Sequence, residues 1–295
     1  EYLLNTSFEK NIMIEKVCII GVGLIGSSLA KALKNTGQAK SICGYGRDAV
    51  RLEKAKDLNI IDECSTEPKE AIINSDIVII ATPVGSYEEV LRGIKPYLKN
   101  TTLVTDVGST KRSVIDVAKK VFGDLPNNFI LAHPIAGKEK NGFEACDGKL
   151  FVNKKVIITP LENNDDESIS RVQNMWEKVG SEVDFMTPES HDKLLGMTSH
   201  LPHMLAFSLM NYLISQNPSA SIYAAGGFKD FSRIASGDAV MWRDICLNNK
   251  DEIIAHIKGY QKSLSALSEA IDNDDMEQLE SMFSNAKATR DSWLD

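Results

Sequence analysis

Val17-Cys-Ile-Ile-Gly21-Val-Gly23-Leu-Ile-Gly26-Ser-Ser-Leu-Ala30 is the stretch whose reading decides the fold. Val17–Ile20 reads as a buried strand, Gly21 to Gly26 as a G-x-G-x-x-G turn, and Leu24 onward as an apolar-faced helix. Gly21 permits the tight turn and Gly23 lets backbone approach a pyrophosphate. Gly26 lets the helix pack closely on the strand, and the helix N-terminus offers N–H groups and a positive dipole end. A glycine triplet alone carries little information. Placed between a strand and a helix, it predicts dinucleotide binding.

Outward from this unit the same alternation repeats. Further apolar runs stand at Ser41–Tyr45, Ile77–Ala81, Thr102–Thr105, Phe129–Ala132 and Val156–Thr159. Most are continuous, as in strands buried on both faces of a parallel sheet. Helical stretches lie between them at Leu24–Thr36, Ala49–Leu58, Tyr87–Lys95 and Lys111–Phe122. This pattern predicts an α/β fold with a doubly wound, Rossmann-like, mostly parallel sheet. After Pro188 strand signals stop. His191–Gln216 is long and apolar with Pro202 as the expected kink. Asp251–Ile271 and Asp274–Ala288 are amphipathic, each opened by an acidic residue suited to a helix start. The chain therefore divides into a dinucleotide-binding domain at 13–188 and an all-helical substrate and dimerisation domain at 189–295. Its long apolar segment exceeds what one small bundle buries, so a homodimer is expected. The acidic stretch Leu161–Glu167 is expected as a surface connection near the domain junction. Met13 is a candidate start, which makes the preceding dozen residues an extension.

Composition narrows the partners. Of 295 residues, 43% are hydrophobic and 25% charged, and 33 Lys and Arg against 41 Asp and Glu leave a net charge of −8. That balance disfavours a nucleic-acid backbone or an anionic membrane surface as partner, while a few local cations still suffice for a small anionic substrate. No run reaches the about 18 apolar residues of a membrane helix. The five cysteines, at 18, 43, 64, 146 and 246, are scattered and never spaced CxxC. A disulfide framework or zinc site is not expected, and a reducing cytoplasm is. No other metal-ligand spacing is present, so no metal is expected.

About 20 residues past the glycine turn, an acid would hold the ribose 2′-hydroxyl of NAD. The segment there is Gly44-Tyr-Gly46-Arg47-Asp48, with Gly46 at the acidic position. Arg47 has three readings: a partner for a 2′-phosphate, a stack on adenine, or a solvated loop cation. NAD and NADP both stay open on these residues. The expected cofactor-binding set is Gly21, Gly23, Leu24, Ile25, Gly26, Arg47, Thr82 and Pro83.

Four later segments stand out: Asp106-Val-Gly-Ser109-Thr-Lys111, His133-Pro-Ile-Ala-Gly137-Lys-Glu-Lys-Asn-Gly142, Ser199-His200-Leu-Pro202-His203, and Gly226–Arg233 followed by Met241-Trp242-Arg243-Asp244. Each has a plain structural reading. A strand-end histidine such as His133 is commonly a hydrogen-bonded structural residue, and Ser109 in a Gly-Ser turn is commonly a helix N-cap. His203 suits a core, Trp242 suits packing, and Arg233 and Arg243 suit surface ion pairs. Their joint occurrence downstream of a nucleotide turn points to a site.

On these motifs the run from Val17 to about Ala270 resembles the prephenate/arogenate (cyclohexadienyl) dehydrogenase family. The resemblance implies oxidative decarboxylation: prephenate and NAD(P)+ give 4-hydroxyphenylpyruvate, CO2 and NAD(P)H, while arogenate gives tyrosine. It implies His133 as the catalytic histidine on the ring C4 hydroxyl, with Ser109 sharing that hydroxyl. It implies Arg233 as a substrate-carboxylate ligand, His203 as a second polar site residue, and Trp242 as a site-shaping aromatic near a dimer's shared cleft. By family habit the cofactor is NAD.

The chemistry suits these residue types. A neutral imidazole, with an ordinary pKa of about 6.5, can take the hydroxyl proton as hydride leaves C4. A guanidinium clamps one carboxylate of a dianion in a bidentate way. Aromatisation drives loss of CO2 without a Schiff base. The lengths before Met13 and after the last amphipathic stretch predict neither a fused chorismate mutase nor an ACT domain. Two other readings compete. A β-hydroxyacid-type dehydrogenase would use a helix lysine, of which His191–Gln216 offers only Lys193 near its start. A non-catalytic dinucleotide sensor leaves His133, Ser109 and Arg233 unexplained.

Overall fold

The computed structural model describes residues 13–293 apart from 139 and 141, with backbone alone at 220 and 221. Residues 1–12, and so the reading of Met13 as the start, lie outside this range, as do two positions of the His133–Gly142 motif. The chain runs β1 (Ile14–Ile20), α1 (Leu24–Asn35), β2 (Ala39–Tyr45), α2 (Ala49–Asp57), β3 (Glu63–Ser65), α3 (Pro68–Ile72), β4 (Ile77–Ile80), α4 (Tyr87–Ile94), β5 (Leu103–Asp106), α5 (Arg112–Phe122), β6 (Phe129–Pro134), β7 (Lys155–Thr159), α6 (Asp166–Lys178) and β8 (Glu182–Phe185). Helices follow: α7 (Pro188–Leu195), α8 (Leu201–Gln216), α9 (Gly226–Ser232), α10 (Ala239–Asn248), α11 (Lys250–Asp272) and α12 (Met276–Asp291).

The eight strands form one sheet in the order β3-β2-β1-β4-β5-β6-β7-β8, parallel except where β7 runs against β6. The central strands are apolar on both faces because helices cover both. Ile19, Leu29, Ile42 and Trp176 belong to one core, and Ile20, Ile80, Leu91 and Val114 to the other. Chain connections leave β1 and β4 in opposite directions, so the crevice at their carboxyl ends is the switch point where open α/β sheets take ligands. Among the described residues, no helix is long and apolar enough to cross a membrane.

Several sequence expectations need correction. β3 and β8 carry no continuous apolar run, because they are edge strands with half-exposed or exposed residues. The Leu161–Glu167 stretch ends inside α6, whose N-terminus Asp165 caps by accepting from Ser168 N–H. It joins β7 to α6 within the sheet rather than marking the domain junction. Pro202 does not kink a single helix. The irregularity precedes it as a π turn, Gly196–His200, and Pro202 sits in the first turn of α8. A proline removes one N–H and crowds the carbonyl four residues back, and the wider turn relieves both.

The glycine turn is built by close approach. Gly21 has φ +95°, and a Cβ there would lie 2.8 Å from the Ala81 backbone. A Cβ on Gly26 would lie 2.2 Å from the Gly21 carbonyl oxygen, whereas at Gly23 nothing stands within 4 Å. Gly26→Ala should therefore destabilise the protein by about 2 kcal/mol or more, since backbone must move. Gly23→Ala should stay within about 0.5 kcal/mol of the parent. Urea denaturation midpoints check the pair, and equal midpoints would contradict this packing.

Candidate functional site

At the switch point, Gly23 is the N-cap of α1 and contributes no side-chain cap. The N–H groups of its first turn are left for a ligand, beneath the open space over Gly23. Leu24 and Ile25 open that helix, and Thr82 and Pro83 follow β4 on the facing wall, with Thr82 Cγ2 against Gly21. The cradle fits a pyrophosphate. Arg47 is exposed on the loop between β2 and α2, next to Asp48, whose carboxylate caps α2 by accepting from Arg51 N–H. A Cβ on Gly46 would meet only Leu52, at ordinary van der Waals distance.

Two strands along, β5 pairs with β6 only through Val104 and Thr105. Beyond them side chains replace the ladder. Asp106 Oδ1 accepts from Ala132 N–H at 3.1 Å, and Lys111 Nζ donates to Ala132 O and to Asp106 Oδ2, each at 2.7 Å. Tyr87 Oη and Gly108 N–H also donate to Asp106 Oδ2. Lys111 and Asp106 are fully buried. Burial pulls the Lys111 ammonium below its ordinary pKa against the opposing pull of Asp106, and burial beside Asp106 pushes the Tyr87 phenol well up. A buried pair missing one member is costly, so this clamp rigidly fixes the peptide that delivers the next residue, His133.

His133 is half-buried at the end of β6. Its Nδ1 shares a hydrogen bond of 2.9 Å with Nε2 of His191, leaving Nε2 of His133 available to a ligand. His191 and Asp192 come from α7 and are fully buried, with His191 Nδ1 2.9 Å from Asp192 Oδ1. The Asp192 carboxylate accepts from the backbone N–H groups of Lys111 and Arg112 at 2.8 and 2.9 Å. This corrects the reading of Ser109 as the N-cap of the following helix. A carboxylate from another segment does that work, favoured by the positive end of α5.

The network continues through Asn249, at the junction of α10 and α11. Its amide donates to the Asp192 carbonyl at 2.8 Å and lies 3.1 Å from His200 Nδ1. His200, in turn, hydrogen-bonds the Ser109 backbone. Trp242 is buried on α10, 6.2 Å between centroids from His200, and stacks on His203 at 3.8 Å. His203 Nδ1 bonds the Ser199 carbonyl, and the charge of Arg233 stands close enough to disfavour its protonation. Arg233 itself is exposed. One network of hydrogen bonds and ring contacts thus links His133, the Ser109 backbone, His203 and Trp242, with the charge of Arg233 near enough to act on His203. Arg47 stands outside it.

Electrostatically the cluster keeps its imidazoles neutral. Burial pushes His133 well below the ordinary value, reinforced by His191, Lys111 and His200. His200 falls to about 4, again chiefly by burial, and His191 and His203 are also lowered. Burial opposes ionisation of Asp192, but bonds from His191 and the Arg112 and Lys111 N–H groups hold its carboxyl below the usual range. Sequence reasoning left Asp106, Lys111, His191, Asp192, His200 and Asn249 without a role. Asp106, Lys111 and His200 lay inside quoted motifs, while the adjacent His191-Asp192 pair carried no spacing signal.

Acid should therefore destabilise the fold. His200 binds its proton at about 4 when folded against 6.5 when unfolded, so the unfolded chain holds the extra proton between those values. Its contribution is intact above pH 6.5 and is lost as pH falls towards about 4, roughly 3 kcal/mol for this residue. His133 and His191, shifted the same way, steepen the loss. Urea midpoints across this range should drop with acid, and His200→Gln should flatten the profile. A flat profile in the parent would contradict neutral buried histidines.

Comparison with known proteins identifies the family. The model of the prephenate dehydrogenase nucleotide-binding domain matches residues 29–185, and that of the prephenate dehydrogenase dimerization domain matches residues 187–285. A prephenate dehydrogenase of Bacillus subtilis is 34% identical over 287 residues, covering 95% of this chain and 76% of the relative. A cyclohexadienyl dehydrogenase of Zymomonas mobilis is 31% identical over 283 residues, covering 94% and 96%. A crystal structure of prephenate dehydrogenase from Aquifex aeolicus, in complex with hydroxyphenyl propionate and NAD+, aligns with a TM-score of 0.90 at 37% identity, covering 97% of this chain and all of that one. Likeness over nearly the whole chain sets aside the β-hydroxyacid alternative: the chain belongs to the prephenate dehydrogenase family.

Proposed function

We propose that this chain oxidatively decarboxylates prephenate, or its amino counterpart arogenate, with NAD+ in tyrosine biosynthesis. The observation that carries the reading is His133, held at a strand end by His191 with Nε2 open to a ligand, in a chain whose switch-point crevice fits a dinucleotide. The acceptor bound by the Aquifex aeolicus relative is NAD+. Here Gly21, Gly23, Leu24, Ile25, Gly26, Thr82 and Pro83 would hold the nucleotide, with Arg47 towards its adenosine end. NAD+ seated there supplies the hydride acceptor.

The chain's own residues do the rest. His133 takes the proton of the ring C4 hydroxyl as C4 gives up its hydride, and Ser109 shares and orients that hydroxyl. The carboxylate on ring C1 leaves as CO2, its bonding pair aromatises the ring and passes charge to the C4 oxygen, and that oxygen takes the proton back from His133, so the product is a phenol. An imidazole with a lowered pKa is present in its accepting form at neutral pH, and aromatisation makes up for its weak basicity. Arg233 pairs with a substrate carboxylate beside the flat wall of His203 and Trp242. In a protein of net charge −8, this cation supplies local attraction for an anionic substrate.

The domain division at 188/189 is supported by the end of the last strand at Phe185 and the start of α7 at Pro188. A homodimer is supported by the dimerization-domain match and by apolar side chains left in solvent on the helices, among them Tyr212, Leu264, Ile271, Met276 and Phe283. The main apolar cluster of the helical part contains only Trp242, Ile245 and Ile253 as buried members. A second copy would cover this surface. The scattered cysteines support a reducing, cytoplasmic setting.

The deciding assay follows the ultraviolet absorbance of reduced nicotinamide with prephenate and arogenate, each against NAD+ and NADP+. Turnover of neither substrate would overturn the reading. In the productive combination, His133→Asn should leave NAD+ affinity unchanged and lower kcat by roughly 10²–10⁴-fold. Near-parental turnover would remove His133 as proton acceptor. Arg233→Ala should raise the substrate KM by at least about tenfold with little change in the NAD+ KM. An equal rise in both would remove it as carboxylate ligand.

A further inference from the structure

We propose that His191 and Asp192 are positioning residues that set the tautomer of His133, so that its reacting nitrogen, Nε2, is a bare acceptor before substrate arrives. The inference rests on the reading of His133 as the proton acceptor. Asp192 receives hydrogen bonds from the N–H groups of Lys111 and Arg112, from Arg112 Nε at 3.3 Å, and lies 2.9 Å from His191 Nδ1. An ionised carboxylate only accepts, so His191 Nδ1 must carry the proton. A neutral His191 then has only a lone pair on Nε2. The 2.9 Å bond to His133 therefore has His133 Nδ1–H as donor, which leaves the lone pair of His133 on Nε2.

The charged and titratable groups around His133 are consistent with this order. His191 faces it from α7, His200 from the π turn and Lys111 from just before α5, while Asp192 and Asp106 act on His191. Lys111 Nζ is committed to Asp106 and to the Ala132 carbonyl, and His200 to Asn249 and the Ser109 backbone. Neither competes for Nδ1 of His133. Asp192, held by two backbone donors and a guanidinium, stays ionised. It orients protons and balances the imidazolium formed during turnover, but does not itself store a proton. Because α7 follows the last strand while His133 belongs to β6, the acceptor becomes competent only where the helical part docks on the sheet.

Two measurements test this. Nitrogen–proton correlation NMR distinguishes imidazole tautomers, and the chain has five histidines, so the spectrum of His133→Asn identifies the His133 signals. The parent protein should show His133 neutral with its proton on Nδ1. A proton on Nε2 overturns the proposal. The second is a double-mutant cycle. Asp192→Asn lets His191 reverse its tautomer, and kcat should fall by at least about 10²-fold with NAD+ affinity retained. In the His191→Gln background no imidazole transmits the tautomer, and the same Asp192 substitution should cost less than about threefold. Equal costs in both backgrounds are what helix capping alone gives, and would overturn the proposal. If His133→Asn itself retains turnover, the reading of His133 as proton acceptor, on which this proposal rests, fails. If His133→Asn abolishes turnover while the cycle shows no coupling, only the positioning role fails.

Discussion

The site depends on one buried carboxylate. Asp192 is fully buried, yet both of its oxygens are engaged by backbone and side-chain donors at the N-terminus of α5. A carboxylate taken out of water costs several kcal/mol unless donors surround it. Here two backbone N–H groups, the positive end of the helix and a guanidinium supply that environment. The same residue links the sheet to the helical part and touches His191. It thus joins the start of α5, the helical part and the imidazole behind His133.

A second buried pair works alongside it. Where the β5–β6 ladder stops, Asp106 and Lys111 hold the Ala132 peptide by its N–H and its carbonyl. The ladder is not continued beyond Thr105, and the clamp keeps the end of β6 from drifting. His133 therefore reaches the cleft from a backbone fixed on both edges, by this clamp on one side and by antiparallel pairing with Ile157 on the other. Rigid support of this kind is what a proton acceptor needs, since misplacement by an ångström is expensive in rate.

The electrostatic setting also has a direction. His133, His191, His200 and His203 are all held neutral, chiefly by burial. The positive charges near them are Lys111 and Arg112, both paired with carboxylates, and Arg233 at the exposed edge. A cleft of neutral acceptors rimmed by cation suits an anionic, hydroxyl-bearing substrate.

Much of this architecture was legible in the residues themselves. Continuous apolar runs such as Val17–Ile20 and Ile77–Ile80 announce central parallel strands, because a strand covered on both faces has no polar side to show. The glycine turn reads directly, since only glycine fits where Gly26 meets the Gly21 carbonyl. Edge strands β3 and β8 did not read, because half-exposed strands lack that run. Motifs bearing His133, Ser109, His203, Arg233 and Trp242 could be picked out as unusual along the sequence. Their mutual arrangement could not. That Asp192 caps a helix 80 residues earlier in the chain, and that His191 meets His133 across 58, depends on how two parts of the chain dock. Local sequence sets periodicity, turns and residue chemistry, but the partner of a buried charge is chosen by packing, and that only the folded chain supplies.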